Sequence, residues 1–504
     1  MAADTGGERV ILALDQGTTS SRALVIARDG RVLGSAQREI HPLYPRPGWV
    51  ELDPLEIWES QRQTAVEALR RSGVGAASVA GIGVTDQRET TIVWDRATSL
   101  PIAPAIVWQD RRTAEFCAEL RGAGCEDLVR RTTGLLLDPY FSATKIRWIL
   151  EHVAGARQRA ERGELAFGTV DSWLAWQLSG GRLHVTDATN ASRTLLYDLR
   201  SGDWDDELLD LFRVPRAMLP EVRDTSGVAG ETDTTVLGAS VPIASLIGDQ
   251  QAALYGQACM RRGMTKVTYG TGCFLLLHTG DEPVVSRHGL LSTVALQQGG
   301  RRTYALEGSV FIGGAAIQWL RDGLKLFADA SQSGELAAQV PASDGVIFVP
   351  ALAGLGAPYW DPAARGAIFG LTRGTTTAHV ARATLEGIAF QVADLLEAVA
   401  EDAGVLPPHV RAAGGAAAND LLMQFQADVL GLPVTRSAQP ESTAFGAAWL
   451  AGLAVGMWRD EAEVGEMWSA ERTFTPDPGV DRAALLRGWR EAVACVREFA
   501  HPAR

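Results

Sequence analysis

Residues 15–22 read Asp-Gln-Gly-Thr-Thr-Ser-Ser-Arg and follow directly on the apolar run Val10-Ile11-Leu12-Ala13-Leu14. A buried strand thus ends in a carboxylate, a glycine and four hydroxyls, a combination suited to a metal–phosphate site. Gly17 can take positive φ and let the backbone approach an anion, and successive turn N–H groups make an anion-binding concavity. Asp15 is a hard oxygen ligand of the kind that Mg²⁺ takes once or twice beside substrate phosphates. An ordinary polar β-turn is the alternative for this segment alone. Half a chain later a second glycine/threonine turn, Thr268-Tyr269-Gly270-Thr271-Gly272, again lies between strand-like runs. A third glycine cluster, Ala413-Gly414-Gly415, precedes a helix expected to begin near Asn419 or Asp420. Helix N-termini carry free N–H groups and partial positive charge, which suits a nucleotide phosphate or sugar. Two similar turns and a late glycine–helix element predict two related lobes closing on one nucleotide.

Between the two turns lie charged and aromatic groups at expected strand ends: Arg88-Glu89, Trp108 with Asp110, Tyr140, and Gly248-Asp249-Gln250. A cation, carboxylates, an amide and flanking rings can hold a small neutral polyol, whose hydroxyls both donate and accept while ring faces cover its carbons. Taken singly, Arg88-Glu89 reads equally as a strand-end ion pair, and Trp108 or Tyr140 as core. Asp249 ends an apolar strand and is either the N-cap of a helix over residues 250–256 or a base. Together the groups describe phosphoryl transfer, in which a polyol hydroxyl lies in line with the γ-phosphate of Mg·ATP and Asp249 accepts its proton late. Positioning and electrostatics dominate that chemistry, and two closing lobes would exclude competing water.

The elements that must hold these groups alternate between strand and helix. After residues 22–27, Asp29-Gly30 gives a hairpin signal before Val32-Leu33, so the first turn belongs to an antiparallel meander rather than to a strand-to-helix Rossmann unit. The clearest helix covers residues 54–72: Asp53 as N-cap, Pro54 at N1, Glu56 closing a capping box and Gly73 at C′. Its Trp58 is read as core. A strand over 80–84 delivers the polar stretch 85–91, and a polar connection over 224–240 precedes a strand over 241–247. The lobe boundary is placed near residue 255, dividing 1–255 from 256–504. Later come a strand-like run over 345–352 and helices over 379–400, 420–429 and 442–455. From residue 459 peripheral helices and a polar tail are expected.

A chain of 504 residues with a net charge of −13 lacks the basic footprint of a nucleic-acid binder. Of its 47 lysines and arginines only three are lysines (Lys145, Lys266, Lys325), and none follows a glycine, which excludes a Walker A loop. The protein-kinase Gly-rich loop and V-A-I-K strand are missing too. Five scattered cysteines without a C-x-x-C pattern point to a reduced, cytoplasmic protein. Residues 1–9 are unlike a signal peptide, and no window nears the length and apolarity of a membrane span. A homo-oligomer, dimer or tetramer, is the expected assembly.

At these residues the chain resembles the FGGY carbohydrate kinases. The family patterns are present over residues 140–148 and over 366–371 through 379–386, and the stretches 86–96, 108–113, 134–150 and 185–196 resemble its glycerol-phosphorylating members in particular. The resemblance implies an α/β fold of two actin-like, RNase-H-like lobes with ATP in the cleft. Glycerol would be held by Arg88, Glu89, Tyr140, Asp249 and Gln250, with Trp108 and Phe274 against its carbons. Asp249 would be the base and Asp15 the Mg²⁺ carboxylate. The nucleotide would contact Thr18, Thr19, Ser20, Arg22, Thr271, Gly314, Gln318, Gly415 and Asn419.

Departures from the family concern regulation and one nucleotide contact. Residues 230–240 read Gly-Glu-Thr-Asp-Thr-Thr-Val-Leu-Gly-Ala-Ser, with neither the arginine of members that bind fructose bisphosphate nor the histidine of members phosphorylated by the sugar phosphotransferase system. Neither control is expected. The family's usual Val-Asp-Gly-Gly is Ala412-Ala413-Gly414-Gly415, which removes a carboxylate and predicts an adjusted grip on ATP. Two other readings stay open: a kinase of a pentulose or erythritol, and an actin- or chaperone-like ATPase. The second leaves Arg88, Glu89 and Tyr140 unexplained.

Overall fold

A computed structural model describes residues 9–501; the N-terminal stretch 1–9, apart from Arg9, therefore lies outside the described residues. The first sheet comprises β1 (Val10–Gln16), β2 (Ser20–Ala27), β3 (Val32–Glu39), β4 (Val79–Asp86), β5 (Ser226–Glu231) and β6 (Pro242–Gly248) in the order β5-β6-β4-β1-β2-β3. The second comprises β7 (Thr265–Tyr269), β8 (Cys273–Gly280), β9 (Leu291–Gln298), β10 (Arg301–Val310), β11 (Val410–Ala413), β12 (Val434–Ser437) and β13 (Ala470–Phe474), in the order β9-β10-β8-β7-β11-β12-β13.

The two sheets repeat one plan. In the first, β1, β2 and β3 form an antiparallel meander and β4 runs parallel beside β1, followed by β6 parallel and β5 antiparallel at the edge. In the second, β7, β8 and β10 form the meander, β11 and β12 run parallel beside β7, and β13 closes the edge antiparallel. β1, β4 and β6 are near-continuous apolar runs because both faces of this parallel centre are covered: Val10 to Leu14 are all buried, as are all eight residues of β4.

Helix α1 (Pro54–Ser72) lies against β2 and β3. Asp53 caps it through Leu55 N–H, and Gly73 ends it at φ +71°. Glu56 does not return to the cap as the capping-box reading expects; its carboxylate binds His41 Nδ1 at 2.8 Å. Trp58 is half-buried and packs on the core beneath. The Asp29-Gly30 hairpin is present, with Gly30 at φ +84°.

Two polar stretches hold more structure than their composition indicates. Residues 224–240 contain β5 and a short helix, Thr234–Leu237, capped by Asp233. Edge strands tolerate such polarity because only one side of their backbone pairs. The same stretch does meet a cation, since Arg182 reaches Asp233 at 2.8 Å from a distant part of the chain, although that carboxylate neutralises it. Beyond residue 459 the chain supplies β13 and a helix, Arg482–Ala500, whose Trp489 is fully buried and donates to Asp394 at 2.7 Å. Its apolar stripe docks this outer helix on the second lobe.

The lobes meet through the helices that follow their corresponding parallel strands, α2 (Asp249–Gly256) after β6 and α3 (Ser442–Ala454) after β12. α3 crosses back onto the first sheet, where Ala444, Phe445, Ala448 and Trp449 pack with Ile11, Ala13, Leu24 and Ile26. The two helices touch backbone to backbone: a Cβ on Gly256 would lie 1.7 Å from the Ser442 carbonyl oxygen, and one on Gly446 would lie 1.9 Å from that of Ala252. Gly446→Ala should therefore force the helices apart and lower unfolding stability by at least the usual overpacking cost of about 1–3 kcal/mol. Gly465→Ala, with nothing within 4 Å of the added carbon, is the control. Equal denaturation midpoints for the two variants would refute this account of the crossing.

Candidate active site

β1, β4 and β6 are neighbours running in one direction, so their C-terminal ends lie side by side. Asp15 pairs across to Thr85, and Gly248 pairs with Asp86. This register brings the phosphate turn after β1, the Arg88-Glu89 segment after β4 and Asp249 after β6 to one edge, where open α/β sheets bind ligands. In the second lobe Thr268 pairs with Ala413, which sets the turn over 270–272 beside Gly414-Gly415. Gly414 is at φ +95° and a Cβ there would strike the Tyr269 carbonyl oxygen at 2.5 Å, so only glycine lets the two turns approach.

The first turn is closed by Gly17 N–H donating to Ser20 O at 2.9 Å. Gly17 does not use positive φ, contrary to expectation; the turn closes with an ordinary backbone, and an added Cβ would sit 3.2 Å from Ser20 O. Thr18 Oγ1 accepts from Trp108 Nε1 at 2.9 Å, Thr19 is exposed and Ser20 half-buried. Arg22 is ion-paired with Glu441, at the start of α3, and donates to Gln37 at 2.8 Å. Across the cleft Thr271, Gln318 and Gly415 are exposed and Gly314 is half-exposed. Gly314 begins the helix Gly314–Asp322, and its N–H donates to Gly270 O. Asn419 caps the helix Asp420–Leu430 through Leu421 and Leu422 N–H.

Arg88 and Glu89 are not paired mainly with each other, their closest approach being 3.9 Å. Arg88 makes a two-pronged contact with Glu307 of β10 at 2.5 and 3.1 Å, and its Nε reaches Asp249 at 3.1 Å. Arg193 bridges Glu89 at 2.6 Å and Glu307 at 3.0 Å, leaving its Nη1 buried without a hydrogen-bond partner. All four of Arg88, Glu89, Arg193 and Glu307 are buried. Burial works against the Glu307 charge, yet Arg193 and Arg88 hold its carboxyl down to about 2. Glu89 also sits at φ +63°, rare for a side-chain-bearing residue and worth about 1–3 kcal/mol of strain. Hydrogen bonds from Ser142 Oγ and Thr91 Oγ1 to its carbonyl keep it there.

Asp249 is the first residue of α2, with Gly248 at the cap position, and its Oδ1 accepts from Gln250 N–H of the first turn at 2.7 Å. Its side chain is 33% exposed, the open member of an otherwise closed group. Gln250 Oε1 accepts from Lys266 Nζ at 2.5 Å. Burial lowers the Lys266 pKa to about 7, with Glu307 and Asp249 opposing the fall. Trp108 and Tyr140 are both half-buried and meet edge to face at 5.6 Å, while Phe274 is half-exposed on β8. Behind this group lie the buried carboxylates Asp86, Asp171 and Asp187. Asn190 links Asp86 and Asp187, and Thr189 Oγ1 accepts from Gly248 N–H at 2.9 Å, anchoring the residue before Asp249.

Sequence reasoning left Glu307, Arg193 and Lys266 unassigned. Glu307 had a signal, a lone carboxylate inside the apolar run 304–312; Lys266 had another, its rarity in the chain. Arg193 lay within the family-like stretch 185–196 but carried no mark of its own.

Comparison with known proteins decides the family. Residues 10–256 match the FGGY family of carbohydrate kinases, N-terminal domain, and residues 265–455 match the C-terminal domain of that family. The chain belongs to the FGGY carbohydrate kinases. It is 58% identical over 493 residues to the glycerol kinase of Trichlorobacter lovleyi, covering 98% of this chain and 99% of that one. It is 56% identical to the glycerol kinase of Deinococcus radiodurans, covering 97% and 98%. The glycerol kinase of Plasmodium falciparum, solved with ADP, superposes with a TM-score of 0.91 at 34% identity, covering 97% of this chain and 98% of that one. The repeated sheet plan described above is thus the pair of actin-like lobes of an FGGY kinase. Among the described residues no helix is long and apolar enough to cross a membrane.

Asp15 gives the site a measurable pH signature. Burial raises its pKa from 3.8 to about 6, Arg22 pulls it back and Asp249 pushes it further up. A carboxyl raised in the folded state contributes stability that is complete below the unfolded value and lost as pH rises through the folded one. In this kinase without ligands, Asp15→Asn should therefore raise stability at pH 8 by on the order of 1–2 kcal/mol, with the gain gone near pH 4. Thermal melts across that range test it; a variant less stable than wild type at pH 8 would contradict the assignment.

Proposed function

We propose that this FGGY kinase transfers the γ-phosphoryl group of ATP to a terminal hydroxyl of glycerol, forming ADP and glycerol 3-phosphate. The observation that carries this reading is the buried Arg88–Glu307–Arg193–Glu89 group with the half-open Asp249 carboxylate at its edge. It offers donors and acceptors at fixed positions to a small uncharged molecule, and the Trp108–Tyr140 pair walls one side. The near full-length identity to several bacterial glycerol kinases supports the choice of glycerol within the family.

In this reading Arg88, Glu89, Tyr140, Asp249 and Gln250 hold the hydroxyls, and Trp108 and Phe274 cover the carbons. Asp249 orients the attacking hydroxyl and takes its proton late, because an alcohol is far too weak an acid to be ionised beforehand by a carboxylate. Thr18, Thr19, Ser20 and Arg22 meet the phosphates from the first lobe. Thr271, Gly314, Gln318, Gly415 and Asn419 hold the nucleotide from the second. Closure of the lobes excludes water as a competing acceptor.

The residues fit Mg²⁺. Burial raises Asp15 to about 6 and the nearby Asp249 adds to the rise, so a cation in the turn would stabilise its charged form. No group of three or more His, Cys, Asp or Glu side chains among the described residues forms a closed metal cage. One carboxylate with phosphates and waters is the arrangement this ion takes. When bound it neutralises the β- and γ-phosphate charge. The free, unpaired cysteines and the ATP requirement suit the cytoplasm.

A coupled assay over a panel of polyols with a no-acceptor control is the direct test. Glycerol should give the highest kcat/KM, since a pocket built to pair hydroxyls discriminates against analogues that leave its polar groups unpaired. A ketopentose used more efficiently, or acceptor-independent hydrolysis at the same rate, would defeat the reading. Asp249→Asn should lower kcat by about 10²–10⁴-fold, the range for loss of a general base, with ATP affinity little changed.

A further inference from the structure

Of the three lysines in a chain with 47 lysines and arginines, two, Lys145 and Lys266, are fully buried beside the acceptor pocket. A chain that uses arginine nearly everywhere yet keeps lysine here marks positions where a planar fork would not serve. The ammonium is a compact point charge with three donors, whereas guanidinium is longer, flat and fixed in geometry. Lys145 Nζ donates to the Tyr140 carbonyl at 2.6 Å, which is a backbone tie. Lys266 is different. On β7, its Nζ meets Gln250 Oε1 at 2.5 Å, Thr268 Oγ1 at 2.9 Å and Phe274 O at 3.5 Å, three acceptors around one nitrogen.

An ammonium donates and cannot accept. While Lys266 is protonated, Gln250 turns its amide oxygen to it, and its Nε2 is left facing Asp249 Oδ2 at 3.4 Å. A hydroxyl has one proton to give and two lone pairs to receive. Next to a flipped amide, an acceptor hydroxyl could give its proton to Gln250 Oε1 instead of Asp249. Next to the amide as it stands, it receives from Nε2–H and its own proton has Asp249 as the remaining acceptor.

We propose that Lys266 is a positioning residue for phosphoryl transfer: it locks the Gln250 amide so that the acceptor hydroxyl is oriented with its proton toward Asp249. The proposal rests on the reading of Asp249 and Gln250 as acceptor-site residues and assigns the group that sets their geometry. No covalent step is added; the hydrogen bonds of Lys266 Nζ go to Gln250, Thr268 and the Phe274 carbonyl, so it acts on Asp249 through Gln250. The placement also couples the lobes, since Lys266 belongs to the second sheet while Gln250 opens the helix after the first.

The test is a double-mutant cycle with Lys266→Met and Gln250→Met, reading kcat, both KM values and melting temperature. Wild-type turnover with glycerol comes first; its absence would overturn the proposed function, and with it the ground for this inference. Given turnover, Lys266→Met should lower kcat by about tenfold or more, the equivalent of one charge-assisted hydrogen bond, with KM for ATP unchanged. In the Gln250→Met background the same change should alter kcat by no more than about twofold, the limit of ordinary additivity. Full additivity, or a shared loss of ATP affinity, would overturn the positioning role. Lys266→Arg, which keeps a cation in case the neutral variant does not fold, should also lose turnover because its fork cannot meet the same three acceptors. Full activity of Lys266→Arg would show that charge alone suffices and would overturn the proposal.

Discussion

The Glu307 carboxylate lies fully buried between the guanidinium groups of Arg88 and Arg193, and the geometry of the cleft follows from keeping it there. A charge removed from water is tolerated only when paired and hydrogen-bonded, and removing one partner of such a group leaves the others uncompensated. Glu307 belongs to the second lobe and Arg88 and Arg193 to the first, so the lobes cannot separate at this point without exposing or orphaning charge. Arg88 is thereby immobilised with only its Nε edge turned to Asp249. The strained backbone of Glu89 is held by the same surroundings, through Arg193 on its side chain and two hydroxyls on its carbonyl.

A second constraint sets how the lobes meet. The helices after β6 and β12 are counterparts in the repeated plan, and they cross where Gly256 and Gly446 allow backbone contact. The first of these helices begins with Asp249 and Gln250, so the crossing fixes the direction from which the carboxylate and the amide enter the cleft. The second begins one residue after Glu441, the partner of Arg22 in the first phosphate turn. Each helix therefore joins core packing at one end to a polar group in the cleft at the other.

The electrostatics of the cleft are divided. On the acceptor side, positive and negative charges are matched and buried. On the phosphate side, Asp249 pushes up the Asp15 carboxyl and Arg22 pulls it down, a cation shared with Glu441. A matched pocket suits a neutral polyol, and a carboxylate at the phosphate turn suits a cation bound with nucleotide phosphates. This division follows from which strand end each residue occupies.

Local pattern was enough to place α1 to the residue, the hairpin after β2, the helices near 377–403, 420–430 and 442–454, and both glycine/threonine turns. These depend on caps, apolar periodicity and turn residues, all of which act within a few positions of the chain. The family resemblance pointed to the same cleft and named most of the groups along its edge. What the sequence did not show was pairing over long separations. Glu56 satisfied a capping rule but found His41, and the polar stretch over 224–240 supplied an edge strand whose partner lay beyond it. Arg88 stood next to Glu89 and paired instead with Glu307, 219 positions away. Arg193, Glu307 and Lys266 took their roles only when parallel strands brought distant segments to one edge. A buried charge takes whichever partner the fold brings within reach, and that choice is made by tertiary packing rather than by neighbours in the chain.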